Sequence, residues 1–142
     1  MQVFIIGTPL ETAQVLSERH LNNQINEARI IIDALNGKKA WSRHPAVLQY
    51  RGYEEWLGHY VSCLYLYKYN AIIGAGICSD YARMCTPEWH CEEYYTNMKR
   101  RLYTKNPEHY KQWAHLGESQ ENMYWSPTEN KFIKYVNGKR IP

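Results

Sequence analysis

The chain has 142 residues and a formal net charge of +3, the size of one domain able to bury a core without disulfides or metal. No apolar run is long enough to span a bilayer and nothing reads as a signal peptide, which argues against a membrane or secreted protein and for a reducing, cytoplasmic setting of Cys63, Cys78, Cys85 and Cys91. The charge favours an anionic partner only mildly, whereas 13 Tyr and 5 Trp against 2 Phe suit either a tyrosine-rich core or base stacking.

In chain order, residues 2–7 (QVFIIG) read as a short extended start. Thr8, Pro9 and Glu11 then form a capping box with proline at the first helical position, so a helix begins at about residue 9. Leu21, Ile25, Ala28, Ile32 and Leu35 share one stripe of a second helical stretch, which either continues the first or follows it directly and stops at the NGKK of residues 36–39. Residues 44–70 are the longest periodic segment, with Ala46, Tyr50, Tyr53, Leu57, Tyr60, Val61 and Leu64 on one face and Gly52 and Gly58 inside it. The glycine-broken stretch 72–85 reads as a connection with a short helix.

Thr86 and Pro87 open a further expected helix with Cys91, Tyr95, Met98 and Leu102 on its core face. Asn106 and Pro107 repeat the cap-then-proline signal. Asn137-Gly138 marks a type I′ turn between short extended pieces. The expected fold is mainly α: a compact single-domain helical bundle, residues 1–142, with an irregular or hairpin C-terminal segment.

Four sets of residues stand out for chemistry. Cys78, Cys85, His90 and Cys91 lack the C-x2-C spacing of a zinc knuckle, so buried thiols are expected there and no metal. Glu27 falls roughly 100° from the centre of the apolar stripe, beside Asn23, which puts a partly dehydrated carboxylate at the edge of the core. Such a group can hold or pass a proton, although a surface glutamate on a solvated flank fits the same pattern. His90, Tyr94, Asn97 and Arg101 form a line opposite the Cys91 to Leu102 stripe, ending in the basic run 99–101, which suits phosphate contacts or a merely solvated basic face. Trp41, Arg43 and His44 make a further patch, in which a histidine ahead of Pro45 serves as a cap or a packing residue more often than as a catalyst.

The segment HLNNQINEAR, residues 20–29, resembles the start of the bacteriophage pyrimidine-dimer DNA glycosylases, the endonuclease V family, where a His-Leu pair precedes the catalytic glutamate by seven residues. That spacing runs here from His20 to Glu27. The ending FIKYVNGKRI is similar to the family's aromatic and basic C-terminal segment, with Lys134, Tyr135, Gly138 and Lys139 matching best. The resemblance implies a helical enzyme that excises a damaged base, a pyrimidine dimer in the family, or another modified base from duplex DNA and cleaves the resulting site, with no metal and no organic cofactor; the sequence points to no obligate protein partner.

Its nucleophile would be the free α-amine of the chain. Because Gln2 is too bulky to favour removal of Met1, that amine is expected on Met1. α-Amines ionise about two units below lysine side chains, so more of the neutral nucleophile is present near pH 7. Glu27 would stabilise charge on the sugar and move protons. Asn23, Asn26 and Arg29 would border it. Arg43, His44, His90, Asn97, Arg101, Lys134, Tyr135 and Lys139 complete the expected DNA-binding set. A non-catalytic nucleic-acid-binding protein on the same fold is the alternative.

Overall fold

The computed structural model describes residues 1–38, 40–69 and 86–142. The stretch expected as a connection, and with it Cys78 and Cys85, lies outside them. The described chain is mainly helical: α1 (Pro9–Val15), α2 (Glu18–Leu35), α3 (Pro45–Leu48), α4 (Glu54–Lys68), α5 (Glu92–Lys105) and a 3-10 helix (Lys111–Leu116) precede a small antiparallel sheet of β1 (Asn122–Ser126), β2 (Lys131–Val136) and β3 (Lys139–Arg140).

Local chemistry sets the first boundaries. Thr8 and Glu11 form the expected reciprocal capping box, while Ser17 accepts the His20 N–H and starts α2 as a separate helix. The long periodic segment is two helices, not one. Gly52 adopts φ +89, a left-handed conformation no helix interior contains, and the chain turns there between α3 and α4. α5 begins at Glu92 rather than near Pro87, because a turn from His90 N–H to Pro87 O intervenes and Cys91 is extended. Asn137 and Gly138 both take positive φ, the two-residue turn read from the sequence, and join β2 to β3.

The core lies where α2 and α1 pack on α4, with α3 and α5 carrying β1 against it. The N-terminal segment runs through this core: Val3 and Ile5 are fully buried, and Gln2 and Phe4 nearly so. Among the described residues it pairs with no strand, so its peptide groups need other partners. Gln24 supplies two of them. Its Oε1 accepts the Phe4 N–H at 2.7 Å and its Nε2 donates to Gln2 O at 2.9 Å, as the peptide group of a neighbouring strand would. Tyr60, from α4, donates to the same oxygen at 2.8 Å. Tyrosine therefore serves the core here: Tyr50, Tyr60, Tyr94 and Tyr110 are fully buried.

Candidate active site

α2 holds the start of the chain at three consecutive points. Gln24 takes Phe4 and Gln2 as described, and Glu27, almost one turn on and half-buried, accepts the backbone N–H of Gln2 at Oε2, 2.7 Å away. From the other side Tyr124 of β1 donates its hydroxyl to Met1 O at 2.9 Å. The chain start is thus fixed between a helix carboxylate and a strand phenol. Burial first, and then the charge of Glu27, push the Tyr124 hydroxyl up to about 12, so it remains a donor at neutral pH.

A polar cavity of about 280 Å³ opens beside this point, lined by Phe4, Arg19, His20, Asn23, Gln24, Glu27 and Lys105. His20 Nδ1 lies 2.7 Å from the Tyr110 hydroxyl, which also accepts the Ser17 N–H. Burial, followed by the positive charges of Lys105, Arg19 and His109, lowers the His20 pKa, so its imidazole is neutral at pH 7. Burial and the neighbouring Arg101 and Arg19 push the Lys105 ammonium down too, opposed by Glu27. Cations crowded against one another beside a carboxylate, with space for a ligand, suit an anion such as a phosphate.

A second groove, of about 480 Å³, adjoins Tyr124. It is lined by Arg43, Leu48, Arg51, Trp125 and Tyr135 among others. Arg140 also borders it but is paired with Glu129 at 2.8 and 2.9 Å, whereas Arg43 and Arg51 make no ion pair among the described residues. His44, whose neighbours Arg43 and Pro45 line the groove, has its ring 5.8 Å from that of Tyr124.

The residues expected from sequence therefore divide. Glu27, Asn23 and the chain start come together, with Arg43, His44 and Tyr135 close by through Tyr124. Asn26 and Lys139 are exposed outside both cavities. Arg29 lines a different depression, over the Tyr65 ring at 5.9 Å. Its place two residues beyond Glu27 rotates it about 200° around α2.

The line on α5 is a correction. Tyr94 and Asn97 are buried rather than opposite the core, because α5 packs against both β1 and the 3-10 helix and so has two covered faces, and His90, ahead of the helix, is buried against Trp56 and Trp89. Arg101 is held by Ser119 O at 3.0 Å. Lys134 and Tyr135, adjacent on β2, point to opposite sides; Tyr135 faces the groove, whereas Lys134 lies 3.6 Å from Glu121 in an acidic depression. Gln24, Tyr124 and Lys105 were missed. Only a buried Gln at the spacing of the apolar stripe gave any signal, since the other two join the site through contacts distant in sequence, Tyr124 with Met1 and Lys105 with Glu27.

Residues 1–66 match the pyrimidine dimer DNA glycosylase family. The matched stretch contains His20, Gln24 and Glu27, the whole N-terminal segment and most of α4, and so covers the helix that holds the chain start. Lys105, Tyr124 and the sheet lie beyond it. Comparison with curated proteins and with solved structures gives no match. Among the described residues no group of three His, Cys, Asp or Glu is arranged to hold a metal ion, and no helix is long and apolar enough to cross a membrane.

Proposed function

We propose that this chain is a DNA glycosylase with associated lyase activity, acting on a damaged pyrimidine in duplex DNA through the α-amine at its start and Glu27. The observation that carries the reading is the 2.7 Å bond from the Gln2 N–H to Glu27, within a stretch that matches the pyrimidine dimer DNA glycosylase family.

The neutral amine forms a bond to C1′ of the damaged nucleotide, and the C1′–base bond breaks with its electron pair leaving on the base. The attacking nitrogen loses a proton to Glu27, the sugar ring opens, and the C1′–nitrogen bond becomes an imine. The imine then accepts the electrons released when a C2′ proton is removed, and the bond from C3′ to its phosphate oxygen breaks by β-elimination. Glu27 is suited to stabilise the cationic sugar and to carry these protons. Lys105 and Arg19, in the same cavity, are suited to hold a backbone phosphate.

With Met1 retained, the amine stands one residue ahead of the amide that Glu27 holds. A second frame has its own support. Were Met1 removed, the nitrogen 2.7 Å from Glu27 would itself be the amine. The Gln2 side chain, buried with Nε2 3.5 Å from Met123 O, would then be restrained from cyclising onto it.

Borohydride trapping tests the reading. Incubation with a duplex carrying an abasic site or a pyrimidine dimer should give a covalent protein–DNA complex, and undamaged duplex should give none. Binding to the damaged duplex with neither trapping nor strand cleavage would establish the non-catalytic alternative.

A further inference from the structure

His44 stands directly before Pro45 and caps α3: its Nδ1 accepts the Ala46 N–H at 3.1 Å. An imidazole whose Nδ1 accepts carries its proton on Nε2. The ring is held edge-on between Trp41 and Tyr124, each 5.8 Å away. Trp41 is 55% exposed and takes a left-handed φ of 66, an unfavourable backbone for an aromatic residue that the surrounding structure must hold in place. Tyr124 in turn binds Met1 O, so the imidazole and the chain start share one phenol. Burial, and then the N-terminal ammonium, disfavour the protonated ring. His44 is therefore a neutral N–H donor of fixed tautomer, and its neighbours Arg43 and Pro45 and its ring partner Tyr124 line a groove with room for a pyrimidine.

A neutral donor is matched to a carbonyl oxygen that gains negative charge during reaction. We infer that His44 Nε2–H donates to the O2 carbonyl of the departing pyrimidine and stabilises it as a leaving group. This rests on the proposal above that the α-amine displaces the base. As the amine bonds to C1′ and the C1′–N1 bond breaks, the released pair spreads over N1, C2 and O2. The hydrogen bond from His44 strengthens as O2 becomes negative, and the base then takes a proton from water. His44 remains neutral throughout, while Glu27 receives the proton lost by the amine.

The two ring nitrogens can be tested separately. In His44→Asn the carboxamide oxygen replaces Nδ1 as cap acceptor and nothing replaces the Nε2–H, whereas His44→Gln places an N–H near the Nε2 position and gives up the cap. Single-turnover rates with excess enzyme are compared on a dimer duplex, which has a base to expel, and on a preformed abasic duplex, which has none. His44→Asn should excise roughly a hundred- to a thousandfold more slowly, the usual effect of losing one such donor, while abasic trapping stays within about threefold and its melting temperature stays near wild type. His44→Gln should melt earlier and yet excise faster than His44→Asn. Wild-type excision by His44→Asn, or equal losses on both duplexes, would overturn the inference. Failure of the wild-type protein to trap the abasic duplex overturns the amine reading itself, and this inference with it.

Discussion

Glu27 accepts the backbone N–H of Gln2 at 2.7 Å, and Gln24, three residues earlier on the same helix, brackets Gln2 and Phe4 with its two carboxamide atoms. One helix thus fixes both the proposed acid–base group and the segment that delivers the amine. Glu27→Gln keeps an oxygen for the Gln2 N–H and removes the charge and the proton. Damaged-duplex affinity should stay within a few-fold, while single-turnover excision and cleavage fall by about a hundredfold or more. A variant that cleaves at the wild-type rate would show that Glu27 takes no part in the chemistry.

Gln24→Leu should damage stability and activity together. It leaves the Phe4 N–H and Gln2 carbonyl without those partners in the core, at a cost of about 2–4 kcal/mol, and frees the chain start to shift, which catalysis tolerates poorly. Urea unfolding and imine trapping on the same sample check both. Lost trapping at unchanged stability would mean that Gln24 acts on substrate rather than on the N-terminal segment.

Two lysines should separate in salt. Lys105 lines the cavity of Glu27, so Lys105→Ala should flatten the dependence of log affinity on log salt by about one unit. Lys134 is paired with Glu121 at 3.6 Å and lies in an acidic depression, so Lys134→Ala should leave that slope near wild type. The reverse pattern would move the DNA path to the other side of β2.

These assignments show where the sequence was legible. The Thr8 to Glu11 box and the Asn137-Gly138 turn are local, decided by side chains within four residues, and both stand in the structure. The half-buried place of Glu27 at the edge of the core followed from the apolar stripe, also a local property, whereas its proposed role came from a resemblance. The break at Gly52 was not legible, because the periodicity of apolar residues continues across it and only the positive φ interrupts the helix. The face of α5 was misread for a different reason: one wheel assumes one covered side, and α5 has two. Lys105 and Tyr124 carry no signal near Glu27, since the fold alone brings them there. β1 was missed as well; its residues pair with β2 from Asn122 against Tyr135 to Ser126 against Lys131, a register no local pattern states.

His90 makes a prediction about acid stability. Burial pushes its imidazole down to about 3, against roughly 6.5 in an unfolded chain, and its Nε2 lies 3.0 Å from the Tyr50 hydroxyl. Between those values the unfolded state binds the proton and the folded state does not. The contribution of this ring is therefore full above about pH 6.5 and declines as the pH falls towards 3, by up to about 1.4 kcal/mol per unit. His90→Gln, which keeps an acceptor for Tyr50, should show a shallower loss of stability between pH 6.5 and 4 in urea titrations. Identical slopes would mean that His90 is already protonated in the folded protein.

The central claim, that the chemistry runs through the amine held at Glu27, is tested most directly by locating the covalent bond. The borohydride-trapped complex with abasic duplex is digested, and the peptide carrying the sugar remnant is sequenced by mass spectrometry. The adduct is expected on the α-nitrogen of the N-terminal peptide, with Met1 or Gln2 as its first residue according to whether Met1 is retained. An adduct on the side chain of Lys105, the one lysine among the described residues that lines the cavity of Glu27, with an unmodified N-terminal peptide, would contradict the account.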